Sequence, residues 1–176
     1  MIRKRQKVAT IVLVVLVVLL YIQIFLFSAM SADLSQRQSL AFTESIVGIS
    51  ERILAKDLPY NDSYEQIMQA DGFIRKTAHF LEYALLAALM YGIALVWEKK
   101  GWRAVLLVFL LAVLLAAADE WHQTFVPGRG GSARDVVLDS AGALCGMAVL
   151  RLTRVRFVSR RGKARVSRKD KAACNN

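Results

Sequence analysis

Four apolar runs constrain this chain more than any other feature. The first reaches from Val8 to about Met30, the second from Thr77 to Trp97, the third from Trp102 to Ala118 and the fourth from Val136 to Leu152. At ~1.5 Å per helical residue, about 20 apolar residues cross a ~30 Å hydrocarbon core. Backbone groups inside lipid must be satisfied within their own segment, so each run should be a helix. The third and fourth runs are short, which requires protein or water to hold their polar ends at the interface. With 56% hydrophobic residues in 176, the composition excludes an ordinary soluble domain. The expectation is an all-α protein: a four-helix transmembrane bundle with an external amphipathic helix between spans one and two.

Basic residues set the orientation. Arg3, Lys4, Arg5 and Lys7 precede span one, Lys99, Lys100 and Arg103 join spans two and three, and ten more follow span four. That puts 17 on one side and 7 on the other. Both termini should be cytoplasmic, and an even number of spans requires them to share a side. The basic start resembles that of a signal peptide, and Ala29 and Ser31 could mimic a cleavage site. The length of the run and the three spans after it favour an uncleaved anchor.

Residues 31–74 are then external. Phe42, Ile46, Ile49 and Ile53 form one helical stripe, so residues 40–54 are read as an amphipathic helix on the outer leaflet or capping the bundle. The stretch from Asp57 to Ser63, with Pro59, breaks it, and a short helix from Ser63 to Ala70 leads into span two. The membrane domain is taken as residues 1–158. Residues 159–176 are basic and poor in apolar side chains, and are expected to be a disordered cytoplasmic tail attracted to anionic lipid. The tail has no folded platform, which argues against a nucleic-acid partner. Cys145 and Cys174 cannot build a disulfide framework and should stay reduced.

Two polar clusters carry the chemistry. Span two opens with Arg75, Lys76, His79, Glu82 and Tyr83. Lys76, His79 and Tyr83 share one helical face, and Arg75, His79 and Glu82 another. The second cluster holds Asp119, Glu120, His122, Gln123, Arg129, Arg134, Asp135 and Asp139. Pro127, Gly128, Gly130 and Gly131 make a tight re-entry loop between spans three and four. Ser132 is read as the N-cap of span four, with Asp135 completing a capping-box-like pattern. Gly142 and Gly146 form a stripe where another helix can come close. Topology puts both clusters on one side of the membrane. Ionisable groups at membrane depth are costly unless paired, so His79, Glu82, Asp119, Glu120 and Asp139 should face a shared polar cavity. A purely structural polar lock, with the acids paired to Lys76, Arg129 and Arg134, would also satisfy them. His122, beside Trp121, reads as a rim residue more than a ligand.

At these segments the chain resembles the VanZ-like family of bacterial membrane proteins. The resemblance rests on Arg75, Lys76, His79, Phe80, Glu82, Tyr83 and Leu86 in the first block. In the second it rests on Asp119, Glu120, His122, Gln123, Phe125, Pro127, Gly128, Arg129, Ser132, Asp135 and Gly142. Phe27 and Ser28 also fit. One departure is Asp139, where the family often carries an amide. The family takes its name from a member associated with lowered susceptibility to the glycopeptide teicoplanin. The resemblance implies a role at the bacterial cell envelope, without implying that this chain confers resistance.

Three mechanisms suit these residues. In the first, the cavity binds an anionic membrane lipid, a lipid-linked cell-wall precursor or a glycopeptide through Arg75, Lys76, Arg129 and Arg134, with Tyr83, Gln123, Asp135 and Asp139 completing the lining. In the second, a membrane enzyme transfers or hydrolyses a phosphoryl or glycosyl group. His79 is then base or nucleophile, Glu82 orients it, and Asp119, Glu120 and Asp139 can hold a divalent cation. No P-loop, nucleophile elbow or paired-histidine metal motif supports it. A proton or ion path ranks last, because the polar residues do not continue through the inner halves of spans two and three.

Overall fold

The computed structural model describes residues 2–31, 34–35, 37, 39–41, 45, 60–99 and 101–174, with side chains from residue 3 up to 45 and from 71 to 154 within these. Among the described residues four helices carry the fold: α1 (Ile2–Ser28), α2 (Tyr60–Val96), α3 (Trp102–Gln123) and α4 (Ala133–Cys174). All four contain a stretch long and apolar enough to cross a membrane: Arg3–Ser28, Asp71–Val96, Trp102–Gln123 and Ala133–Arg154. The protein is therefore a multi-pass membrane protein. The described residues contain no strand. Beyond Leu40, Ala41 and Ser45, the amphipathic helix expected over 40–54 lies outside the described residues.

Spans three and four are longer than their apolar runs, at 22 residues each. Helix α3 carries on through Asp119 and Glu120 to Gln123 because these polar side chains turn inward and are buried. Exposed Trp102 and Trp121 mark the two ends of α3. Their 19-residue separation spans about 29 Å, the thickness of a hydrocarbon core, with indole rings at both interfaces. Helix α2 starts at Tyr60, so the short lead-in helix and span two are one continuous element. Helix α4 runs to Cys174, where composition predicts a disordered tail from residue 159. No proline interrupts it, and Arg, Lys and Ala propagate a helix well.

Helix α2 is central and packs most extensively on α4. That interface is made by Gly142 and Gly146, which bring α4 against the backbone of Phe80 and Ala84. In lipid, helices associate through such close packing, since lipid tails are as apolar as leucine. Below it, Ala87, Tyr91, Val108, Ala112, Ala143 and Met147 fill the space between α2, α3 and α4. Ile24, Tyr83, Leu86 and Ala116 pack α1 against α2 and α3. Helix α1 is peripheral and leaves most of its Val and Leu side chains to lipid. Its basic end is tied to the end of α2: Gln6 donates to the Val96 carbonyl at 3.2 Å and Trp97 Nε1 donates to Thr10 at 2.9 Å. The opposite end, where α1 and α3 finish and the spans of α2 and α4 begin, gathers both polar clusters.

Candidate functional site

The polar end is assembled from all four helices and the 124–132 loop. Ser28, the last residue of α1, donates to Asp119 Oδ2 at 2.7 Å. Gln123, one turn further along α3, donates to the same oxygen at 3.0 Å and lies 3.2 Å from Ser28 Oγ. All three side chains are buried. A charged acceptor shared by two donors is a strong arrangement in a low-dielectric setting. Its effect is to fasten α1 to α3.

Glu120 points a different way. Its Oε2 accepts the Ser132 N–H at 2.7 Å, and its Oε1 lies 3.5 Å from Gln123 Nε2. Ser132 does sit at the start of α4, where its carbonyl receives the Asp135 and Val136 N–H groups. The capping-box reading is corrected, however. The carboxylate that receives the Ser132 N–H belongs to Glu120, twelve residues back on α3, and not to Asp135. Helix α3 thereby fixes where α4 begins. The loop between them turns at Gly128, whose positive φ of 75° an L side chain rarely adopts. Buried Val126 anchors it from below.

Two cavities open at this end. One, of about 330 Å³, lies between α2, the loop and α4, and its walls include Asp71, Arg75, Lys76, His79, Glu120, Gln123, Arg129, Asp135 and Asp139. The other, of about 600 Å³ and more apolar, lies between α1, α2 and the segment after α1, with Gln23, Phe27, Ser35, Ser39, Ala78 and Glu82 in its wall. Arg75, His79 and Arg129 border both. Most of the site residues expected from sequence therefore come together. Tyr83 and Asp119 lie buried beneath, bordering neither cavity. Arg134 is exposed and borders neither, so its expected place in the ligand site is not realised. At the first position of α4 after Ala133, it projects outside the bundle. His122 packs its ring on Phe25 of α1 at 4.5 Å, as a rim residue would.

The charges are unevenly satisfied. Between described residues, His79 Nδ1 and Glu82 Oε2 approach to 3.8 Å, which is too long for a hydrogen bond and is an ion pair only when the imidazole is protonated. The structural lock, in which Lys76, Arg129 and Arg134 would pair with the acids, is thus not formed. Arg129 keeps a buried Nε without a hydrogen-bond partner. Burial, and then the nearby Arg75, draw the pKa of this loop guanidinium below its ordinary value, while Asp119 and Glu120 act against them. Asp139 is 2% exposed and its Oδ1 has no hydrogen-bond partner, nor has the Tyr83 hydroxyl. Among the described residues, no group of three His, Cys, Asp or Glu side chains is arranged to hold a metal ion. The three acids offered from sequence as cation ligands, Asp119, Glu120 and Asp139, are accordingly not grouped as a shared metal site.

The VanZ/LLP1 family model matches residues 13–154. The chain is a member of that family. The match begins within span one, covers the other three spans and both polar blocks, and ends where the basic extension of α4 begins. Neither a curated protein nor a solved structure matches the chain.

Sequence reasoning missed some members of this VanZ-like site. Asp71 is buried, borders the first cavity and accepts a hydrogen bond from Ser39. Its position one turn before Arg75, on the same helical face, was a usable signal. Ser28 fitted the family pattern, yet its bond to Asp119 depends on how α1 docks, which no local pattern encodes.

Proposed function

We propose that this VanZ-like protein binds an anionic group of a cell-envelope lipid or glycopeptide-type ligand in the cavity between α2 and α4. One observation carries this reading: Arg75 and Arg129 both border the two cavities, and neither forms an ion pair with a described residue. Two neighbouring guanidiniums lower their mutual repulsion when a phosphate or carboxylate sits between them. Lys76, at the exposed rim, adds long-range attraction. With both termini in the cytoplasm, the cavity faces the outer leaflet, where lipid-linked precursors and glycopeptides meet. Effects on the envelope, including glycopeptide susceptibility, would follow from sequestering or presenting such a ligand.

The second reading is an enzyme acting on a phosphoryl or glycosyl group of a lipid-linked substrate. The observation in its favour is His79, which borders both cavities with Glu82 beside its ring. A 3.8 Å separation can close when a substrate arrives. The two readings are tested together with the full chain in micelles and a fluorescent polyprenyl diphosphate. Binding should weaken by about tenfold or more in Arg129→Ala and less in Lys76→Ala, as expected for loss of a charged hydrogen bond. Turnover of the probe that vanishes in His79→Ala while binding persists would replace the binding reading with the enzymatic one.

A further inference from the structure

The charged groups around the polar cavity are unevenly partnered. On one wall Arg75 and Arg129 act on each other as like charges. On the α4 side, Asp139 has several acids near it, among them Glu120, Asp119, Asp135 and Glu82. Asp139 is almost wholly buried, borders the cavity and receives no hydrogen bond from the described residues. It lies six residues into α4, about 9 Å deeper than the start of that helix. A carboxylate so placed, with an unpartnered oxygen, calls for a hydrogen-bonding cation. A proton alone would neutralise Asp139 but leave the arginine pair opposing each other. A purely anionic ligand would satisfy the arginines and leave Asp139 among acids. One ligand carrying both charges answers both walls.

The second cavity says what such a ligand is attached to. It is larger, more apolar, and shares Arg75, His79 and Arg129 with the first. Phe27 and Ala78 belong to α1 and α2, the two helices between which this space opens. A headgroup in the polar cavity can therefore pass its acyl chains past the arginines into a chamber at the level of the leaflet.

Building on the anion-binding reading above, we infer that the ligand is a zwitterionic phospholipid headgroup, an ammonium joined to a phosphate as in an ethanolamine lipid. The phosphate lies between Arg75 and Arg129. The ammonium donates to Asp139, and the acyl chains occupy the chamber beside Phe27. A choline headgroup has no N–H to donate and is the weaker ligand.

The experiment uses the full chain in maltoside micelles with short-chain ethanolamine, glycerol and choline phospholipids, and O-phosphoethanolamine as competitor. The ethanolamine lipid should bind about tenfold or more tighter than the glycerol lipid, the preference expected for one charge-assisted hydrogen bond. Asp139→Asn should erase that preference, and Arg129→Ala should weaken both lipids. Comparing two lipids on one preparation makes the ratio independent of how well a variant folds. If the glycerol lipid binds as tightly as the ethanolamine lipid and both need Arg129, the zwitterion is refuted and the anion site stands. If neither lipid responds to Arg129→Ala, both readings fail. Equal binding of choline and ethanolamine lipids refutes the Asp139 hydrogen bond. O-phosphoethanolamine competing as well as intact lipid refutes the role of the acyl chamber.

Discussion

Substituting the two glycines of α4 gives a test whose sign, as well as size, is fixed by the structure. A Cβ on Gly146 would stand 2.6 Å from the Ala84 carbonyl carbon and 2.9 Å from its Cα. On Gly142 it would stand 3.0 Å and 3.2 Å from the same atoms of Phe80. These are backbone atoms of α2, which cannot swing aside as a side chain can. The two helices must separate. Were nothing in the way, Gly→Ala in a helix interior would stabilise by about 0.8–1 kcal/mol. Overpacking against backbone reverses this and costs about 1–3 kcal/mol. Gly92→Ala is the internal control: its Cβ would meet only Leu13 side-chain carbons, the nearest at 3.7 Å, an ordinary contact. Thermal unfolding in micelles, followed by the emission of the three tryptophans, should show Gly146→Ala and Gly142→Ala melting lower by several degrees, at roughly 2–4 °C per kcal/mol. Gly92→Ala should melt at or above the parent. Phe80 follows His79, and Gly142 lies three residues after Asp139, so the same separation widens the cavity and weakens ligand binding. Melting of Gly146→Ala at or above the parent would refute the backbone contact and the helix pairing built on it.

The two buried aspartates should respond oppositely to the same change, since Asp119 Oδ2 accepts from Ser28 and Gln123 whereas none of the described residues donates to Asp139. Asp119→Asn should lower stability by about 1–3 kcal/mol through loss of charge-assisted bonds, and Asp139→Asn should leave the ligand-free protein as stable or more so, both read as melting in micelles. Glu98 closes α2 in the left-handed region, at φ 58°, with the Lys99 N–H bonded to the Ala94 carbonyl and the Glu98 N–H to that of Leu95; Glu98→Gly should raise stability by about 1 kcal/mol in the same assay. Single cysteines at Arg75 and Arg129 should both react with an impermeant thiol reagent from outside intact cells, and labelling from opposite sides would overturn the shared cavity.

Much of the fold was legible because lipid allows so few solutions. Apolar run length gave four helices, and the cost of burying charge brought His79, Glu120, Arg129 and Asp139 to one place. The Gly142–Gly146 stripe correctly marked a close approach, and the structure supplies its partner within the chain. What stayed hidden is rotational. Asp119 and Glu120 are adjacent, and a ~100° step along a helix sends them to different neighbours, one to α1 and one to the start of α4. Sequence gives the step but not the azimuth of α3. For that reason the acid completing the Ser132 cap of α4 was sought in the local Asp135, while the acid that meets the Ser132 N–H is Glu120. Arg134 was expected to meet an anion in the cavity alongside Arg129, yet its place on α4 leaves it exposed. The ends of α3 and α4 extended beyond their apolar runs for a related reason: a polar residue facing protein does not end a span.

The acids of this site divide into two kinds by the donors they have, and the division explains why the chain keeps a cost it could avoid. Asp119 through its Oδ2 and Glu120 through both oxygens are engaged by the fold, although Asp119 Oδ1, like Asp139 Oδ1, has no partner. One fastens α1 to α3 and the other fixes the first turn of α4 while also lining the cavity, so the walls are held in place. Asp139 lies in the same low-dielectric end and has no such employment. A carboxylate with an orphaned oxygen among four other acids lowers stability in the absence of a ligand. An amide or an apolar side chain there would be easier to bury. Rigid positioning by Asp119 and Glu120 around an unsatisfied Asp139 is what a preorganised binding site requires, because the hydrogen bond withheld from the fold is then available to the ligand.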